Sequence, residues 1–233
     1  MKCAIMQPYF FPYIGYFQLI NAVDTFIIYD NIKYTKKGWI NRNRILLNGR
    51  EELISLPIKK DSDYLHIFER NIAESWKINR VKMLNKIREA YRAAPYFDTV
   101  FPLIKELIIY PENNLFLFIN NAICNINKFL GIYTPIIKSS TLPINHSLKS
   151  ESKVIEICKS IKAKEYINPI GGVELYNKEK FKAEGIDLKF IESNNIDYKQ
   201  FDNKFIESLS IIDLMMFNPK DEIKKYLESY NLV

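Results

Sequence analysis

The chain has 233 residues, 48% of them apolar, and a formal net charge of +6. That apolar share excludes wholesale disorder, and no apolar run approaches the roughly 20 residues of a membrane span. The lysines are mostly interleaved with acids and no arginine-rich arm exists, so the charge suits an anionic small molecule better than nucleic acid.

Cys3, Cys124 and Cys158 are odd in number and widely separated, and His66 and His146 are the only histidines. Buried structural thiols are expected, with neither a disulfide framework nor a structural metal. The opening Met-Lys-Cys-Ala-Ile runs straight into Gln7 and Pro8. It reads as a core strand rather than a signal peptide, which predicts a cytoplasmic location.

Residues 1–30 predict a β-α-β unit. Lys2 to Met6 is a short apolar strand, broken by Pro8 and Pro12. Tyr16, Phe17, Leu19, Ile20 and Val23 recur at helical spacing, and Thr25 to Tyr29 is β-branched and aromatic. Two such strands lie parallel, and open parallel sheets bind ligands beyond the strands' carboxyl ends. Gln7, Tyr9, Phe10 and Phe11 fall there, as an aromatic wall for a planar or sugar ring. Gly15 leaves room near the helix start. The competing reading has these aromatics capping the core.

After Asp30, Trp39 to Leu47 and Glu52 to Ile58 read as a hairpin around Asn48-Gly49. Alternation sends Asn41 with Asn43 to one face and Arg42 with Arg44 to the other, leaving open which pair faces a site. Arg42 and Arg44 are natural pyrophosphate or carboxylate ligands. A solvated edge strand is the alternative.

From 61 to 130 the pattern is helical, with helices over 72–92, 98–110 and 114–130, the last ended by Gly131. Lys77, Arg80 and Lys82 lie within reach of a ligand or on a solvated basic face. Strand and helix then alternate again: Thr134 to Lys138, a helix over 150–161, Glu165 to Pro169, and Leu188 to Glu192. Ser139 and Ser140 follow one strand end, and Gly171 and Gly172 the next, where backbone amides can cradle an anion. His146 is the one histidine placed for general base work. Asp213 sits within an apolar helix, and 221–230 reads as a closing amphipathic helix.

The segments QPYFFPYIGYFQLI (7–20), WINRNRI (39–45), LGIYTPIIKSS, GGVELYN and LSIIDLMMFN resemble the WbqC-like protein family over essentially the whole chain. The resemblance implies a cytoplasmic enzyme of bacterial surface polysaccharide (O-antigen) assembly that transfers an acyl or aminoacyl group to an amino sugar. Tyr13-Ile14-Gly15-Tyr16 is more faintly similar to the His-x-Gly-His turn of nucleotidylyltransferases, with tyrosine at both histidine positions; a phenol cannot supply the imidazolium charge.

The chain is therefore expected to be a single α/β domain over 1–233, with a helical insertion at 61–130. Its fold is read as three-layer and Rossmann-like, with a mainly parallel sheet and a β-hairpin extension. The expected partner is a nucleotide-linked sugar, with an acyl or aminoacyl donor and either Asp30 or His146 taking the amine proton. Nucleotidylyl transfer and non-catalytic sugar or nucleotide binding are the alternatives, and the oligomeric state stays open.

Overall fold

The computed structural model describes residues 1–202 and 204–233. Eight strands and eight α-helices are present among them: β1 (Lys2–Met6), α1 (Ile14–Asn21), β2 (Thr25–Ile28), β3 (Arg42–Leu47), β4 (Arg50–Ser55), α2 (Trp76–Tyr91), α3 (Phe97–Ile109), α4 (Leu115–Leu130), β5 (Ile136–Lys138), α5 (Ser150–Ser160), β6 (Glu165–Pro169), α6 (Lys178–Ala183), β7 (Asp187–Ser193), α7 (Ile211–Phe217), α8 (Lys220–Glu228) and β8 (Tyr230–Leu232). Six strands form one sheet in the order β5-β2-β1-β6-β7-β8; all neighbours are parallel except β7 and β8. The fold is a Rossmann-like α/β sheet flanked by helices, as expected. β3 and β4 pair separately as an antiparallel hairpin.

Side-chain alternation builds the two faces. Ala4, Phe26, Ile28, Ile167 and Ile191 point into a large core shared with α1, α4, α7 and α8. Cys3, Ile5, Ile27, Tyr166, Leu188 and Phe190 point the other way, against α5 and α6. Each fully buried Phe or Ile side chain contributes about 1.5–3 kcal/mol. α2, α3 and α4 join the first core, so the helices between β4 and β5 extend it over the hairpin.

Local signals place the ends of α4: the Asn114 side chain accepts from Leu117 N, and Gly131 closes the helix at φ 78°. Three expectations are corrected. The closing helix ends at Glu228 rather than at residue 230, and Tyr230–Leu232 form β8, an antiparallel edge strand on β7. The second hairpin strand is β4, Arg50–Ser55, and stops short of Pro57. Cys124 lies exposed on α4, whereas Cys3 and Cys158 are buried with their sulfurs 3.7 Å apart. Among the described residues, no helix is long and apolar enough to cross a membrane.

Candidate functional site

Strand order reverses between β1 and β6, because β2 and β5 build outward on one side of β1 and β6, β7 and β8 on the other. The loops leaving these two strands therefore diverge and open a crevice. A cavity of about 400 Å³ lies there, lined by Gln7 and Tyr9 after β1, Tyr29 after β2, and Asn168, Gly171, Gly172 and Tyr176 at and after β6. Four residues expected from sequence, Gln7, Tyr9, Gly171 and Gly172, thus come together.

The two glycines differ in role. A Cβ at Gly171 would meet nothing within 4 Å, so its backbone faces open space. A Cβ at Gly172 would stand 2.1 Å from Asn168 Nδ2. Gly172 is the residue that lets the Asn168 amide stand at the cleft, where Tyr166 Oη also donates to Asn168 Oδ1 at 3.2 Å.

The loop from Gln7 to Tyr13 is held by its own carbonyls. Tyr16 Oη donates to Gln7 O (3.0 Å), Asn43 Nδ2 to Phe10 O (3.2 Å) and Phe11 O (2.8 Å), Ser210 Oγ to Phe11 O (2.8 Å) and Ile211 N to Pro12 O (2.8 Å). These bonds sustain Phe11 at φ 44°, a left-handed conformation that costs a non-glycine residue about 1–3 kcal/mol. The loop is thereby preorganised, with Tyr9 turned to the cleft.

Phe10 and Phe11 are fully buried in the core and form no part of a ligand wall. Burial wins because two phenyl rings exposed beside two others would forfeit several kcal/mol of apolar transfer. Gly15 is also enclosed: the Tyr13 ring occupies the space a side chain would take. The buried Tyr16 hydroxyl is committed to Gln7 O, so that tyrosine offers nothing to a phosphate.

Alternation in β3 places the Asn and Arg pairs as expected. Asn43 is buried under the loop, while Asn41 donates to Leu56 O (2.8 Å) and accepts from Tyr34 Oη (2.8 Å). Arg42 and Arg44 both stack on Trp39, 6.0 and 5.3 Å from its ring. Arg42 is tied to Gly38 O and Lys37 O. Arg44 pairs with Glu51 at 2.5 Å and, with Trp39 and Tyr13, lines a second cavity of about 200 Å³ that shares Tyr9 with the cleft.

Asp30, Ser139, Ser140 and His146 gather behind the end of β2 rather than along the cleft. Ser140 N and Oγ donate to Asp30 Oδ1 (2.9 Å) and Oδ2 (2.5 Å), and the Ser139 hydroxyl is shared between Asp30 Oδ1 (2.8 Å) and Asn31 Oδ1 (2.7 Å). Asn31 Nδ2 donates to His146 Nδ1 (2.8 Å), and His146 Nε2 donates to Leu142 O (3.1 Å). Both oxygens of Asp30, which is 1% exposed, and both ring nitrogens of His146 are thus engaged.

Sequence reasoning missed two groups here. Lys153 of α5 is buried, with Nζ 3.3 Å from Asn31 O and 5.2 Å from the Tyr29 ring. Burial lowers its pKa, opposed by the Asp30 charge. Its signal was its position four residues before Ile157, on the helix's apolar stripe. Tyr29 is the other; burial, with Tyr176 adding, pushes its pKa up to about 12. Tyr9 and Tyr176 are also raised by burial. All three phenols stay protonated at neutral pH and act as hydrogen-bond donors.

No solved structure matches this chain. A relative from Mycobacterium tuberculosis (strain ATCC 25618 / H37Rv), the uncharacterized protein Rv1507c, is 28% identical over 231 residues, covering 97% of each chain. The model of the WbqC-like protein family matches residues 7–225, from the cleft loop into α8. With that match spanning both loops of the cleft, the hairpin and the Asp213 helix, the chain belongs to the WbqC-like protein family.

Proposed function

We propose that this protein binds a nucleotide-linked amino sugar in the switch-point cleft and transfers an acyl or aminoacyl group to the sugar amine, in bacterial surface polysaccharide assembly. The observation carrying this reading is the cleft's chemistry: three protonated phenols, two side-chain amides and an open glycine backbone, with no charged side chain among the described residues that line it. Rings and neutral donors suit a sugar, whose hydroxyls need directional partners and whose carbon faces pack on aromatics. Arg44, across Tyr9 in the adjoining cavity, is the cation assigned to the pyrophosphate.

In the transfer, the amine lone pair attacks the activated carbonyl. The new C–N bond forms, the bond to the leaving group breaks, and the amine proton departs with that group. The phenols and amides supply hydrogen bonds to the oxyanion as it develops. This suits a donor activated before it arrives, since Asp30 and His146 are already engaged.

Incubation with nucleotide-linked amino sugars and activated acyl or aminoacyl donors is expected to yield the N-acylated sugar by mass spectrometry. Tyr9→Phe, which removes one donor, is expected to lower kcat/KM by about tenfold or more. A sugar nucleotide that binds but is never acylated would instead support a binding protein of the same pathway.

A further inference from the structure

Outside the cleft, a cavity of about 510 Å³ opens beside the start of α2, lined by Lys59, Lys77, Arg80, Trp76 and Tyr110, with Glu74 and Glu112 also on its wall. Lys77 and Arg80 are three residues apart on α2 and so share a side of the helix. Lys59 faces them from the segment after β4. Among the described residues, none of these three cations has a carboxylate within ion-pair distance. Glu112 is committed elsewhere, its Oε1 accepting from Asn113 N and Asn114 N at 2.8 Å each.

α2 has no acidic residue in its first turn, and its first amides are bonded to Ala73 O, Glu74 O and Ser75 O. Trp76 is 5% exposed, and its indole Nε1 has no hydrogen-bond partner. Three cations without an ion-pair partner around one concavity are complementary to an anion, and the Trp76 side chain in its wall reports on what binds there.

We propose that this cavity is a second binding site, for a ligand carrying a phosphate group. A phosphate's charge and several acceptor oxygens match the surplus of cations over carboxylates better than a single carboxylate would. The volume beyond a phosphate leaves room for an attached group against Tyr110.

The chain has two tryptophans, so its ¹H–¹⁵N spectrum carries two indole signals, which Trp39→Phe assigns. Titration with inorganic pyrophosphate at constant ionic strength is expected to shift the Trp76 indole saturably, independently of any movement of Trp39, which stands beside Arg44 in the other cavity. Combining Lys77→Glu with Arg80→Glu should weaken the response about tenfold or more, with the Trp39 signal reporting that the fold persists. If pyrophosphate is silent but vesicles of phosphatidylglycerol sediment the wild type and not the double variant, the phosphate is a lipid headgroup. Silence with both probes, an equal response in the double variant, or movement of Trp39 alone would overturn the assignment.

Discussion

Replacing Asp213 with alanine is expected to lower the unfolding free energy by about 4 kcal/mol. Asp213 is fully buried in α7. It accepts from Tyr91 Oη (2.7 Å), Tyr198 Oη (2.8 Å) and Gln200 Nε2 (2.8 Å), and Tyr91 Oη in turn accepts from Leu46 N (2.9 Å). One carboxylate thus fastens α2, β3 and the segment before α7 to one another. Alanine would leave buried hydroxyls without an acceptor, each costing about 1–3 kcal/mol. Urea denaturation measures this directly; a loss below about 1 kcal/mol would show that the donors find other partners.

The same residue gives a pH dependence with a definite sign. Burial raises the Asp213 pKa, and the three hydrogen bonds only partly oppose it. The folded state therefore holds this proton more tightly than the unfolded chain. Its contribution is fully present below the ordinary carboxylate range and is lost as pH rises through the elevated folded value. Asp213→Asn should flatten that part of the stability profile.

Asp30→Ala is expected to cost about 3 kcal/mol, for a related reason. It would strand Ser140 N and the Ser140 hydroxyl, leave the Ser139 hydroxyl only Asn31 Oδ1, and withdraw the anion that favours charged Lys153. The loss should appear in urea denaturation without any substrate present, which separates a fastening role from a catalytic one. Unchanged stability with abolished turnover would return Asp30 to the reaction itself.

The fold was largely legible because it rests on periodicity. Strands β1, β2, β6 and β7 are short apolar runs between turn residues, and α4 carries both its Asn cap and its Gly stop. β8 escaped because Tyr-Asn-Leu is too short and polar to signal a strand without β7 beside it.

The lining of the candidate cleft was legible where chain position alone decides it. Gln7, Tyr9, Gly171 and Gly172 follow from strand ends in a parallel sheet. Phe10 and Phe11 did not, because their burial depends on Asn43, Ser210 and Ile211, partners more than 30 residues away that no local pattern names. Asp30 and the serines were correctly seen to lie at strand ends. Sequence could not show that they would satisfy one another.

The most direct test of the switch-point cleft as the substrate site is calorimetric titration of nucleotide-linked amino sugars into the wild type and Gly171→Leu. Position 171 has open space and no left-handed backbone, so leucine fits the fold while filling the cleft. The account predicts saturable binding to the wild type, weakened about a hundredfold or more in the folded variant. Equal binding to both proteins would place the substrate elsewhere, and no binding to the wild type would contradict the nucleotide-sugar reading itself.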